Sequence, residues 1–525
     1  MTAIALLFFS FVAPNAAEAQ VTAFKQAVAE TAAEDRELAE FYKTNGYNGV
    51  WTGGDDDKAR RIALFQALQN AQNHGLPAPR YDADGLMDLL RDARSPRDLG
   101  LAEVAMSKTF VTLAQDMQGG VLSPSRVVSG IKRDITKRDA KLLLTSLTAS
   151  DPRKFFQGLA PGTNEYKRLM KEKMRLEHLI SLGGWGEVVP AKSLKPGATG
   201  PAVVALRNRL MAMGYLDRTA TQSYDARIRK AVQQFQMNHG LDADGEAGAG
   251  TIKEINVSAS ERLKSVVVAM ERERWLNLPT GKGSRHILVN LTDFSARIMD
   301  NDHETFRTRA VIGARKDGRE SPEFSDEMEF MVINPTWHVP RSIAVKEYLP
   351  QMKRNRNAAG HLKLVDRRGR VVSRSRINFA AYNARNFPFA IKQPPSKRNA
   401  LGLVKFMFPN KYNIYLHDTP SKNLFSHETR AYSHGCIRLQ QPFDFAYQLL
   451  AVQEDNPEAF FQAKLNTGRE TRVELEKKVP VHIIYRTAFT AAKGHTNYRR
   501  DIYGRDARIW GALQQAGVSL NDVRG

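Results

Sequence analysis

The apolar residues of this chain change period at His286, and that change limits its fold more than any other feature. Before it, stretches such as RRIALFQALQNAQNHGL (60–76) repeat apolar residues at helical spacing. The spacing predicts Ile62, Phe65 and Leu68 on one helix face and a stop at Gly75. After it, RHILVNLTDFSARIMD places Ile287, Val289 and Leu291 on one face of a strand. FMVIN (330–334) and VKFMFPN (404–410) read as further strands, the second with Val404, Phe406 and Phe408 on one face. YNIYLHDT (412–419) sets Tyr412, Ile414 and Leu416 on one face, with Tyr415 and His417 on the other. At 525 residues two such patterns exceed a single core. The expected fold class is multidomain α+β. A helical scaffold spans 20–190, a compact unit 193–257 and a mostly β domain 284–486; the polar, Arg-rich tail 487–525 is given no role.

The apolar run from Ile4 to Val12 is too short to span a bilayer, and Ala17-Glu18-Ala19 has the form of a cleavage site. The expectation is a signal peptide over 1–19, export to the periplasm and a mature start near Gln20, with no transmembrane span after its removal. A formal net charge of +21 favours anionic partners. Residues 341–400 hold 15 Lys/Arg against two acids, Glu347 and Asp366, interleaved with Tyr348, Phe379, Tyr382, Phe387 and Phe389. That mixture reads as a structured basic insertion, a lid or cleft wall for an acidic polymer. Nucleic acid is disfavoured, because no nucleic-acid-binding motif accompanies the charge.

Cys436, in AYSHGCIRL (431–439), is the only cysteine. In an oxidising compartment it has no internal disulfide partner, so it is either buried or a free thiol. If 434–439 is extended, His434, Cys436 and Arg438 point to one side while Ile437 and Leu439 face the core. Two neighbouring cations would then lower the thiol pKa. Gly435 permits close approach of backbone or substrate. His417, 19 positions earlier, is within reach of a strand, a loop and a return. A packing cysteine and a zinc set of His417, His427, His434 and Cys436 remain the competing readings at this level.

The segment 193–257 resembles the three-helix peptidoglycan-binding domain, through LRNRLMAMGYL, AVQQFQMNHGLDADG and GAGTIKEIN. His417-Asp418-Thr419 followed by Ser433-His434-Gly435-Cys436-Ile437-Arg438 resembles the signature of the L,D-transpeptidases, the YkuD-type catalytic domain. The likeness extends to ERERWLNL (271–278), INPTWHVPRSIAVKEYLP (333–350), NALGLVKFMFPN (399–410), FYKTNGYNGVW (41–51) and NHGLPAPRYD (73–82). QPPSKRNALG (393–402) departs from relatives, which usually carry Pro-Gly before Asn-Ala-Leu-Gly.

The resemblance implies a large periplasmic murein transpeptidase that forms 3→3 cross-links through a thioester on Cys436, with His417 as proton acceptor and donor. It implies Gly435 and Cys436 N–H groups as oxyanion donors, His434 lining the site, and Ser433 and Asp418 in support. Asp418 would orient His417 through a backbone carbonyl or its carboxylate. Arg438, Tyr415 and Trp337 are the candidate substrate-binding residues. It implies no metal or cofactor, peptidoglycan as partner with other cell-wall synthesis enzymes as further candidates, and acylation by carbapenems. L,D-carboxypeptidase action, attachment of a protein to murein and a catalytically silent binding scaffold are the alternatives.

Overall fold

The computed structural model describes residues 16–316 and 318–520. The expected signal peptide lies outside the described residues except for its last four, which begin the helix Ala16–Ala32. Among the described residues no helix is long and apolar enough to cross a membrane.

Residues 16–181 are helical, as the spacing predicts. In the helix Asp55–Asn70, however, Ile62 is exposed and Ala63, Leu64 and Leu68 are buried. Leu64, Leu68 and Ala71 recur at four and three residues and follow the 3.6-residue turn, whereas steps of three from Ile62 drift off the buried face. Ser95 and Asp98 form a capping box with Pro96 at the first turn, which starts the long helix Pro96–Gly119. That helix carries buried Glu103. Its carboxylate accepts from the backbone N–H groups of Val50, Trp51 and Thr52 at 2.7, 3.0 and 3.1 Å and from the Tyr42 hydroxyl at 2.8 Å.

The unit 193–257 packs Val203, Leu206 and Leu210 against Ile228, Val232 and Phe235, all fully buried. Gln236 pins its Asp/Gly turn, donating to Asp244 at 2.8 Å and accepting from Gly245 N–H at 2.9 Å.

Fifteen strands follow among the described residues. They are β1 (Arg285–Asn290), β2 (Ser295–Asp300), β3 (His303–Gly313), β4 (Phe324–Ile333), β5 (Trp337–His338), β6 (Lys363–Val365), β7 (Val371–Val372), β8 (Ala390–Gln393), β9 (Val404–Met407), β10 (Leu416–His417), β11 (Ala431–Ser433), β12 (Ile437–Leu439), β13 (Thr471–Ile484), β14 (Ala488–Phe489) and β15 (Asn497–Tyr498). The main sheet runs β11-β3-β12-β10-β9-β4-β13-β1-β2, and β2 also pairs with β3, so the sheet closes on itself around one core. The insertion forms a separate subdomain, with sheet order β5-β8-β6-β7 and its own core around Trp337, Leu349, Phe379 and Phe387.

One helix joins these units. Ala259–Trp275 starts at a Ser258 cap and buries Glu271, Arg272, Glu273 and Arg274 in succession. Glu271 accepts from Leu122 N–H, and Arg274 donates to Tyr166, both on the scaffold. Arg272 binds Glu323 at 2.5 Å and Asp506 at 2.9 Å, and Glu273 pairs with Arg486 and Lys282. The tail 487–520 is therefore part of the core assembly. Arg505, fully buried, donates to Glu323 at 2.9 Å and to the Ser321 carbonyl at 2.8 Å. Polar composition hid this, because these residues are buried only through distant partners. Breaking a buried ion pair by neutralising one side strands its partners. Glu323→Gln is expected to lower stability by about 3–5 kcal/mol, read as a fall in the urea midpoint, whereas Glu327→Gln on the exposed edge of β4 leaves the midpoint unchanged.

Candidate active site

Parallel pairing of β10 with β12 puts Leu416 beside Ile437 and His417 beside Arg438. The Ile437 N–H donates to the Tyr415 carbonyl at 3.1 Å, so Tyr415 and Cys436 are the next pair in the same register. Leu416, Ile437 and Leu439 are fully buried, each contributing about 2 kcal/mol of apolar burial. Because side chains alternate, Tyr415, His417, Cys436 and Arg438 share the opposite face. The strand expected over 412–419 is only two residues long. Asn413 takes a left-handed conformation (φ 56°), and Asn410 ties the turn, donating to the Phe408 and Ile414 carbonyls and accepting from the Tyr412 and Ile414 N–H groups. Ile414 still reaches the core.

His417 is buried, and its Nδ1 donates to the Asp418 carbonyl at 2.5 Å. An acceptor on Nδ1 holds the proton there and leaves the lone pair on Nε2. The Asp418 carboxylate is engaged elsewhere, accepting from Leu403 N–H at 2.9 Å and Lys422 at 2.6 Å. Of the two expected ways for Asp418 to orient the ring, the backbone carbonyl is the one formed. Gly402 (φ 62°) lies against that carboxylate, where a Cβ would come within 2.2 Å.

The turn before the thiol is held from both sides. Ser433 Oγ accepts from Gly435 N–H at 3.1 Å and donates to the Cys436 carbonyl at 2.5 Å. The Gly435 N–H, expected as an oxyanion donor, is thereby occupied; Gly435 instead supplies a φ of 117° that disfavours a side chain. Among the described residues no acceptor takes the Cys436 N–H. Ser321 Oγ donates to the Gly435 carbonyl at 2.6 Å and accepts from Gly313 N–H at 3.0 Å. From the tail, the Tyr503 hydroxyl donates to the Gly313 carbonyl at 2.6 Å.

His434 is exposed, with Nε2 at 2.6 Å from Glu347 of the insertion. Glu347 also pairs with Arg319 at 2.7 Å. The Tyr415 ring packs 5.6 Å from that of His417 and borders the insertion core that contains Trp337. Trp337 is buried in that core and interacts with the Tyr415 side chain. Among the described residues the Arg438 guanidinium has no carboxylate partner, and its Nε is buried without an acceptor. His427 lies against Tyr432, with ring centroids 5.6 Å apart.

Comparison with known proteins gives this geometry a family. Residues 284–481 match the family model of the YkuD "L,D-transpeptidase catalytic domain". Residues 199–255 match that of a "Putative peptidoglycan binding domain" and 36–172 that of a "Scaffold domain". Residues 284–481 are an L,D-transpeptidase catalytic domain. A "Putative L,D-transpeptidase" of Haemophilus influenzae is 27% identical over 261 residues, 49% of this chain and 50% of that one. The chain thus matches about half the length of this curated relative. A solved L,D-transpeptidase of Xylanimonas cellulosilytica is 14% identical, with coverage of 57% and 100% and a TM-score of 0.16. One from Stackebrandtia nassauensis is 15% identical, with coverage of 56% and 96% and a TM-score of 0.22.

Electrostatics in the transpeptidase domain differ from the sequence expectation. Burial pushes the Cys436 thiol up to about 11, with Tyr415 and Arg438 opposing the rise. Of the two expected cations, His434 is paired away and Arg438 alone does not offset desolvation. Burial, reinforced by Arg438, pulls His417 down to about 3 against the pull of the Asp418 and Leu401 carbonyls. A gap of about eight pH units keeps the resting pair as neutral thiol and neutral imidazole. Thiolate-dependent alkylation of Cys436 by iodoacetamide is expected to rise steadily from pH 7 to 10. Arg438→Gln should move the rise to higher pH. A plateau below pH 8 would instead reveal a preformed thiolate–imidazolium pair.

Proposed function

We propose that this chain is an exported murein L,D-transpeptidase that forms 3→3 cross-links through a Cys436 thioester. The observation that carries the reading is the register of β10 and β12, which sets the only thiol and a neutral, carbonyl-oriented imidazole on one face. Cys436 Sγ attacks the carbonyl of stem residue three as His417 Nε2 takes the thiol proton. The Cys436 N–H stabilises the oxyanion, and the unpaired Arg438 holds a stem carboxylate. Collapse breaks the amide, His417 gives its proton to the departing D-Ala amine, and the thioester remains. A side-chain amine of a second stem attacks the thioester and loses a proton to His417. The amide forms, and the thiol returns with that proton. Tyr415 and Trp337 wall the donor cleft, with the basic insertion above it.

Water in place of the amine would make the same site a carboxypeptidase, and products separate the two. With disaccharide-tetrapeptide, mass analysis is expected to show a dimer lacking one D-Ala, and none with Cys436→Ala. Tripeptide alone would indicate hydrolysis. Turnover by Cys436→Ala equal to that of the native chain would defeat the mechanism. Ser321→Ala, which frees the Gly435 carbonyl, is expected to lower kcat by about tenfold with little change in KM.

A further inference from the structure

A cavity of about 410 Å³ opens at the seam between the small helical unit and the closed sheet, away from Cys436. Its walls come from Gly240–Asp242 of the helical unit, from 292–295, 307–309, Glu428, Arg430, Gln440 and Gln441 of the catalytic domain, and from Arg499 of the tail. Gln440, at its edge, lies four residues beyond Cys436, on the order of 13 Å along an extended strand.

Its charges are unbalanced. Buried Asp293 accepts from Arg307 at 2.8 Å, Arg499 at 2.7 Å and Arg297 at 2.5 Å, so one carboxylate serves three guanidiniums. Arg309 and Arg430 have no carboxylate partner among the described residues. Arg309 donates to the Phe425 carbonyl at 3.1 Å, and Arg430 donates to the carbonyls of Ala310, His427 and Phe294. Glu428 is paired with Arg500, which leaves Asp242 as the other acidic group on the wall. Burial, with Arg309 adding repulsion, pulls Arg430 down to about 10 against the opposing pull of Asp293 and Asp242. A half-buried guanidinium with no carboxylate bonded to it lowers its energy when an anion enters.

The seam is also fixed in place. Arg499 donates to the Asn238 carbonyl at 2.8 Å, His239 stacks on Tyr498, and Tyr215 stacks on His495 at 4.1 Å. Gly240 lies against Arg499, where a Cβ would come within 2.7 Å. The two walls are therefore held at one separation, as a preformed site requires.

We propose that this cavity binds a carboxylate of a second peptide stem on the polymer strand whose first stem is at Cys436. The proposal rests on the peptidoglycan reading above. Paired guanidinium forks match the planar carboxylate, and the offset from Cys436 suits a neighbouring repeat of the polymer.

The test uses the full chain carrying Cys436→Ala, with co-sedimentation on insoluble glycan strands bearing tetrapeptide stems. A parallel set of strands has the stem carboxyls converted to amides. Arg309→Gln on that background is expected to weaken binding to the carboxylate strands by about tenfold, the scale of one lost charge-assisted hydrogen bond. On amidated strands the two chains should bind alike. Arg430→Gln should behave in the same way; if it fails to fold, Arg309, with its single carbonyl contact, carries the test. In the active chain, Arg309→Gln should leave turnover of a single disaccharide-tetrapeptide unchanged. Equal binding of carboxylate strands by both chains, or an equal loss on amidated strands, overturns the site. Absence of turnover in the native chain overturns the enzymatic reading instead.

Discussion

Four consecutive charged residues buried on one helix are the constraint from which the rest of the assembly follows. Glu271, Arg272, Glu273 and Arg274 point around the full circumference of Ala259–Trp275. Each charge needs a partner, because an unpaired buried ion costs several kcal/mol. Glu271 and Arg274 pair with each other and are completed by hydrogen bonds from the scaffold, while Arg272 and Glu273 take partners from the closed sheet, the tail and Lys282, so satisfying one helix brings these parts of the chain together. Specificity of assembly is what such a network offers, since apolar contacts alone would tolerate sliding.

That assembly reaches the thiol through a short chain of hydrogen bonds. The buried Arg505 and Glu323 hold Ser321 near Gly313, Tyr503 clamps Gly313, and Ser321 fixes the Gly435 carbonyl. Ser433 occupies the Gly435 N–H from within the turn. The backbone around Cys436 is therefore set by residues from three remote segments. In the proposed mechanism the chemistry is left to a neutral thiol and a neutral base whose proton transfer accompanies attack. Arg438 lowers the thiol pKa and the imidazole pKa alike, so in that mechanism it would favour negative charge on sulfur and the return of the proton from the ring.

Local alternation was enough to read which face Cys436, Arg438, Tyr415 and His417 occupy, since period two survives even where the strands are two or three residues long. The helical region, the small unit with its buried Val203, Leu206 and Phe235, and the strands at Ile287 and Val404 were legible for the same reason. Other features were not. Ser321 meets Gly435 across 114 residues and Glu347 meets His434 across 87, and no local pattern marks such pairs. The thiol pKa was misjudged because sequence shows neighbouring cations and not the burial that outweighs them. Ile62 was misplaced because steps of three leave the helical face within two turns. The tail was given no role because Arg505 and Asp506 are polar residues whose burial depends on the distant Arg272 and Glu323.

The central claim is that acyl transfer passes through Cys436. Rapid quenching of the native chain with a tetrapeptide donor and no acceptor amine, followed by tryptic mapping, tests it most directly. The account predicts a hydroxylamine-sensitive adduct, heavier by the donor minus D-Ala, on the peptide Ala431–Arg438 and absent from the His417→Ala chain. Turnover with that peptide unmodified, or with the adduct on another residue, would contradict it.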